Sequence, residues 1–367
     1  VHADRRFEPF PLTSAQRGIW FAQLLRTDVP ITIAQYVVVD GTLDAAVLES
    51  ACVTAAHEFG SGMLKLLEID GEPFQQIDSE LSQSVEVVDL SGEREPEAAA
   101  LEWMRQEYTR PFDLLADRLV KSAVLSVGAN RQFWYCRIHH LVLDGYGAMN
   151  FMTRIAELYS AEVAGLSVPE SSATDLLAVH DAEAEYRHSP RFRRDQDYWA
   201  AKTAELPAVA SLAGKRMDAT PGAVVVGRTL DSSNATAKAD EFSSAAAVAA
   251  FALYFARVTG TEDVVLSLPV AARTNRVLRG SGGMISNVVP LRLAVTASTT
   301  VAELSAAASL ELTGALRHQR YRTEDMRRDR GVGAERGFFG PAINIMNFHP
   351  EVVLGSVTGR FHILSTG

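Results

Sequence analysis

Residues 139–145 read His-His-Leu-Val-Leu-Asp-Gly, a pair of imidazoles followed closely by a carboxylate and a glycine. The run closes an apolar stretch, 132–140, whose alternation predicts a strand. Successive strand side chains point to opposite faces. Trp134, Cys136, Ile138 and His140 therefore share one face, and Phe133, Tyr135, Arg137 and His139 the other. The two imidazoles diverge, so they do not ligate one metal, and no metal is expected. His140 sits where the strand runs out, a position at which a polar group faces a cavity while its strand stays buried. An imidazole there titrates near neutral pH and serves as general base or acid. The competing reading is a hydrogen-bonded core histidine. Asp144 and Gly145, immediately downstream, favour the catalytic one.

Asp144 is flanked by Leu141, Val142 and Leu143 and should face inward, where a carboxylate requires a cationic partner. Arg273, just after the predicted strand 264–272, is the candidate. Gly145 would permit a turn or a close backbone approach. No nucleophile accompanies the histidines. There is no Gly-x-Ser-x-Gly elbow, Cys52 and Cys136 lie in apolar patterns, and Ser286 has no activating context. This combination points to direct transfer between two bound substrates, with a histidine handling the proton. Acyl transfer fits, because an attacking amine or hydroxyl loses a proton as the tetrahedral intermediate forms.

The elements that would hold these residues alternate along the chain. Strands are predicted at 31–40, 85–90, 264–272, 284–295 and 342–348, with a hairpin over 117–128 and 132–140. Helices are predicted over 44–59, 95–108, 148–159, from Pro190, and over 243–258 and 301–318. The class is α/β (or α+β) with two lobes, 1–172 and 173–367, divided at the polar stretch 164–175. The 367 residues are 47% hydrophobic and 22% charged, which excludes a disordered chain, and the net charge of −10 argues against nucleic acid as partner. No stretch is apolar enough for a membrane span or signal peptide, and two cysteines suit a reducing, cytoplasmic setting.

His-His-x3-Asp-Gly followed by a helix resembles the active-site signature of nonribosomal peptide synthetase condensation domains. Further stretches agree in order. Leu12 to Trp20 is similar to the family's opening motif, and Arg110-Pro111-Phe112-Asp113-Leu114 to its Pro-Phe-Asp-Leu segment. Tyr186 to Trp199 resembles the approach to the second lobe. Gly283 to Val289 takes the place of the Gly-x-x-x-Asn strand, and His318-Gln319-Arg320-Tyr321 resembles the His-Gln-x-Tyr helix. The resemblance implies two chloramphenicol-acetyltransferase-like lobes in a V, with a tunnel reaching the active site from both sides. Upstream and downstream peptidyl carrier domains would deliver substrates on 4'-phosphopantetheine, beside an adenylation domain, and the domain itself would bind no cofactor. An acceptor amine would attack a donor thioester to form an amide. By position His140 is catalytic, His139 is supporting, Asp144 and Arg273 form a structural ion pair next to Gly145, and Ser286 and Asn287 fall along the tunnel.

Two departures stand out. The family's Leu-Arg-x-Arg-Phe stretch is replaced by His57-Glu58-Phe59-Gly60-Ser61-Gly62, which points to an altered loop. The chain also stops at Gly367, before the closing strands expected of a second lobe. Two alternatives share these motifs. One is a stand-alone acyltransferase of the same superfamily making an ester or amide. The other is a silent module that docks a carrier or partner, against which the retained His140, Asp144 and Gly145 argue.

Overall fold

The hairpin predicted from alternation forms, and its partners explain why it is buried on both faces. In the computed structural model, which describes residues 7–81, 84–207, 209–213, 226–227, 243–331, 340–346 and 351–366, the chain divides into two compact units. The first holds the chain up to Glu185, Arg273–Ile285 and the described C-terminal residues 351–366. The second holds the described parts of Tyr186–Ala272 and Ser286–Asn347. This differs from the single cut expected between 172 and 173, because the chain re-enters the first unit twice.

The first unit is built on a six-stranded sheet. It contains β2 (Thr32–Val39), β5 (Val85–Asp89), β6 (Val120–Gly128), β7 (Arg131–His139), β10 (Glu351–Leu354) and β11 (Val357–Thr366), in the order β10-β11-β2-β7-β6-β5. Only β5 and β6 pair in parallel. One face, with Val37, Val39, Trp134 and Ile138, packs on α2 (Ala45–Phe59) and α4 (Gly145–Val163). The other, with Ala34, Leu125, Phe133 and Tyr135, packs on Ala100 and Met104 of α3 (Pro96–Thr109). Period-2 alternation thus fills two cores from one set of strands. A three-stranded sheet of β1 (Phe10–Pro11), β4 (Glu72–Ile77) and β3 (Leu64–Ile69) lies beside α1 (Ser14–Leu25) in sequence. Thr13 and Gln16 close α1 with a capping box. Strand β11 covers the edge of β2, Val37 opposite Phe361, and so satisfies backbone groups that would otherwise lie open.

After α5 (Leu176–Arg187), the second unit pairs β8 (Asp263–Val270) with β9 (Asn287–Ala294) against α6 (Pro190–Thr203), α7 (Ser244–Thr259) and α9 (Val301–Arg317). Between β8 and β9 lies the one-turn helix α8 (Arg276–Arg279), and after α9 comes α10 (Thr323–Asp329). Strand β9 starts three residues later than predicted, because the Ile285 amide is donated to Asp144 instead of a neighbouring strand. The strand expected at 342–348 is reduced to a bridge from Ala342 to Ser267, and residues 347 and 348 lie outside the described set. Among the described residues no helix is long and apolar enough to cross a membrane.

Candidate active site

Strand β7 ends at His139, which is fully buried, and the next residue leaves the sheet. The His139 ring lies 5.1 Å from that of Phe112, which also carries the Arg137 guanidinium over its face at 4.9 Å. Arg137 in turn pairs with Glu107, which accepts the Tyr135 hydroxyl. The Pro-Phe-Asp-Leu segment is therefore a wall against which the inner histidine rests. Nε2 of His139 meets Gln23 Oε1 at 3.1 Å, and Nδ1 accepts the Leu141 amide at 3.2 Å. Burial, then the neighbouring His140 and Arg137, push its pKa down to about 3, so the ring is neutral. It supports the turn and carries no proton for chemistry.

His140 is half-buried and differs in kind. Its amide donates to the Ile31 carbonyl at 2.9 Å, which fixes the backbone at the strand end. Its Nε2 lies 2.7 Å from the Thr366 carbonyl at the end of β11. A carbonyl only accepts, so this contact calls for the Nε2–H tautomer and leaves the lone pair on Nδ1. Nδ1 has no hydrogen-bond partner among the described residues. Nδ1 is also buried, so the nitrogen through which this ring can exchange a proton with a substrate is Nε2, which meets a single exposed backbone carbonyl.

Asp144 does three jobs. Oδ1 accepts the Gly147 amide at 2.8 Å and so caps α4, whose first residue is Gly145. Oδ2 accepts Arg273 Nη1 at 2.8 Å and the Ile285 amide at 2.9 Å. Both side chains of the ion pair are 2% exposed. Burial alone would raise the Asp144 pKa; the Arg273 charge and these hydrogen bonds outweigh it and hold the carboxyl below its usual range. Arg273 also donates to the Gly283 carbonyl at 3.0 Å and lies 4.6 Å from the Tyr146 ring centre. The structure thus brings His139, His140, Asp144, Gly145 and Arg273 into one neighbourhood.

The close backbone approach is made by Gly147. A Cβ there would lie 2.9 Å from the Gly282 carbonyl oxygen and 3.0 Å from that of Gly283, both backbone atoms. The expected result for Gly147→Ala is a loss of about 1–3 kcal/mol in a denaturant titration, with Gly92→Ala, where a Cβ meets nothing, within about 0.5 kcal/mol of the parent. Equal stability of the two variants would contradict the packing described.

Two expected site residues and three unexpected ones complete the account. Ser286 and Asn287 belong to the second unit. Asn287 is buried, and its amide is committed to the Gln319 and Tyr321 carbonyls and to the Thr323 amide, so it braces a turn. The carbonyl of Ser286 accepts Arg322. The residues missed are Gln16, Gln23 and Gln75. Gln16 Nε2 donates to the Leu141 carbonyl at 3.0 Å and to Gln75 at 2.7 Å. Gln16 and Gln23 stand two helical turns apart on α1, a seven-residue spacing that begins in the opening motif and ends three residues beyond it. In the altered stretch, Ser61 is buried and its hydroxyl donates to the Gly282 carbonyl, while Glu58 pairs with Arg154.

A condensation-domain family model matches residues 8–358. The chain is 36% identical to the isonitrile lipopeptide synthase of Streptomyces coeruleorubidus, over 99% of its own length and 25% of that protein. It is 34% identical to a dimodular nonribosomal peptide synthase of Bacillus subtilis (strain 168), over 99% of its length and 16% of the other's. The chain thus spans a quarter or less of these two relatives. Among solved structures, a mutant starter condensation domain of rhizomide synthetase in complex with C8-CoA superposes with a TM-score of 0.91 at 33% identity, covering 98% of this chain and 83% of that one. The first condensation domain of the calcium-dependent antibiotic synthetase, in complex with a substrate analogue, gives 0.82 at 29% identity, with 98% and 85% covered.

Proposed function

Since the chain belongs to the condensation-domain family, whose members are acyltransferases, we propose that it joins a carrier-bound donor acyl thioester to a carrier-bound acceptor amine. The acceptor nitrogen attacks the thioester carbonyl carbon, the new N–C bond forms, and the C–S bond breaks from the tetrahedral intermediate. The proton shed by the amine ends on the departing thiolate. His140 is the group placed to handle that proton or to orient the amine that carries it. The observation supporting this role is its half-buried ring at the strand end, fixed through its backbone amide, with Nε2 on the exposed side against one backbone carbonyl. Asp144 and Arg273 hold the turn and the start of α4 and do not touch substrate. Donor and acceptor would arrive on 4'-phosphopantetheine arms, within a cytoplasmic synthetase that also carries an adenylation domain.

A second reading concerns the donor. Similarity to a lipopeptide synthase and to a starter condensation domain bound to C8-CoA favours a fatty acyl donor over a peptidyl one. One measurement addresses both: intact mass of the acceptor carrier after incubation with octanoyl or aminoacyl donors. A mass gain equal to the octanoyl group on an aminoacyl-loaded acceptor is expected. Gain from aminoacyl donors alone would overturn the lipid reading, and no gain from any donor would overturn amide formation.

A further inference from the structure

We propose that Gln23 is a positioning residue for His140, acting through the two residues that grip the backbone on either side of it. The proposal rests on His140 as the catalytic histidine. Gln23 is buried in α1, and its amide orientation is set without ambiguity. Nε2 donates to the Arg26 carbonyl at 2.7 Å and the Val29 carbonyl at 3.1 Å, groups that only accept. Oε1 must then face the other way, where it meets the Ile31 amide at 2.9 Å and His139 Nε2 at 3.1 Å. Each of those two partners receives the next amide in turn. The Ile31 carbonyl accepts the His140 amide, and His139 Nδ1 accepts the Leu141 amide. A single oxygen on α1 therefore anchors the chain immediately before and immediately after the reacting imidazole.

The arrangement also fixes a protonation state. Because Gln23 Oε1 only accepts, His139 carries its proton on Nε2 and keeps a lone pair on Nδ1 for Leu141. An imidazolium at 139 would set an Nδ1–H against the Leu141 N–H and break the turn. The titratable neighbours acting on His139 are His140 and Arg137, the latter paired with Glu107; α1 and the Pro-Phe-Asp-Leu segment present Gln23 and Phe112, neither of which titrates. Gln16 reinforces the same turn by taking the Leu141 carbonyl. The neutral amide at position 23 is thus a requirement, since a carboxylate in its place would favour the imidazolium.

The test combines histidine-labelled NMR of the 367-residue chain with pH–rate profiles for Gln23→Glu and Gln23→Leu. In the parent, His139 is expected as the Nε2–H tautomer without titration from about pH 5 to 8. In Gln23→Glu its titration should rise into that window, and the acid limb of the kcat profile should move up with it. At alkaline pH one oxygen of this variant still accepts the same two N–H groups, while the other faces the Arg26 and Val29 carbonyls without a proton to donate, so the rate should rise with pH yet plateau below the parent's. Gln23→Leu should lower kcat by roughly tenfold to a hundredfold at all pH values with KM little changed. A parent His139 that titrates in that window, or a folded Gln23→Glu with the parent's profile, overturns the proposal. If Gln23→Leu does not fold, the parent tautomer and the Glu profile still decide it. Full turnover by His140→Ala would also overturn it, and is told apart because the His139 tautomer would then be unchanged.

Discussion

His140→Ala is expected to abolish transfer to the acceptor carrier while the protein stays folded. The substitution removes a half-buried ring whose hydrogen bond runs to one backbone carbonyl, Thr366, and whose other nitrogen has no partner among the described residues. Little packing is lost, so the melting temperature should change by only a few degrees. The rate loss should be large. General acid–base assistance alone contributes typically 10²–10⁴-fold, and the loss of an oriented amine adds to it. His139→Ala should behave in the opposite way. It removes a fully buried ring packed on Phe112, orphans the Leu141 amide and takes one of two donors from the Gln23 oxygen, so its principal effect should be on stability. Intact-mass assays paired with thermal melts separate the two. Undiminished product from a folded His140→Ala protein would remove the catalytic reading.

The second large effect is expected at the ion pair. Asp144→Ala or Arg273→Ala should each destabilise the chain by about 3–5 kcal/mol, because each leaves the other charge buried without its partner. The double variant should cost clearly less than the two single losses added together, the mark of partners in contact. Additive losses would contradict the pairing. The pair also predicts an acid sensitivity with a definite sign. The folded Asp144 carboxyl lies below its unfolded value of about 3.9, so its contribution is complete above that pH and is lost as pH falls through the folded value. His139 acts earlier on the same descent. Its unfolded pKa of about 6.5 exceeds the folded value of about 3, so below about 6.5 the unfolded chain takes up the proton first and stability falls with pH. A melting temperature flat from pH 7 to 4 would contradict the neutral, buried state of His139. Asp144→Asn should flatten only the lowest part of the curve.

Much of this site was legible in order of residues. Strand alternation alone sends His139 and His140 to different environments, and the structure places one in a sealed core and the other at the strand's end. Three apolar neighbours announce that Asp144 faces inward, and charge neutrality then demands a cation such as Arg273. The hairpin turn at Gly128 and the Asp44 cap of α2 follow from local chemistry. Less legible were the strand predicted at 342–348, whose β-branched content could not reveal that among its described residues only Ala342 would bridge to β8, and β9, shortened because a remote carboxylate claims the Ile285 amide.

From residue types and spacing came the divergence of the histidines, the buried acid and its need for a base, and the absence of a nucleophile that leaves direct acyl transfer. The tertiary structure decided which nitrogen of each imidazole is engaged, that Gly147 makes the close approach, that Asn287 braces a turn, and that Gln16 and Gln23 hold the chain on both sides of His140. The reason is physical. Periodicity and local sterics act over a few residues and leave a trace in the pattern. The partners that set these tautomers are largely backbone carbonyls and amides, which every residue carries alike, brought together across as many as 226 positions of chain between His140 and Thr366.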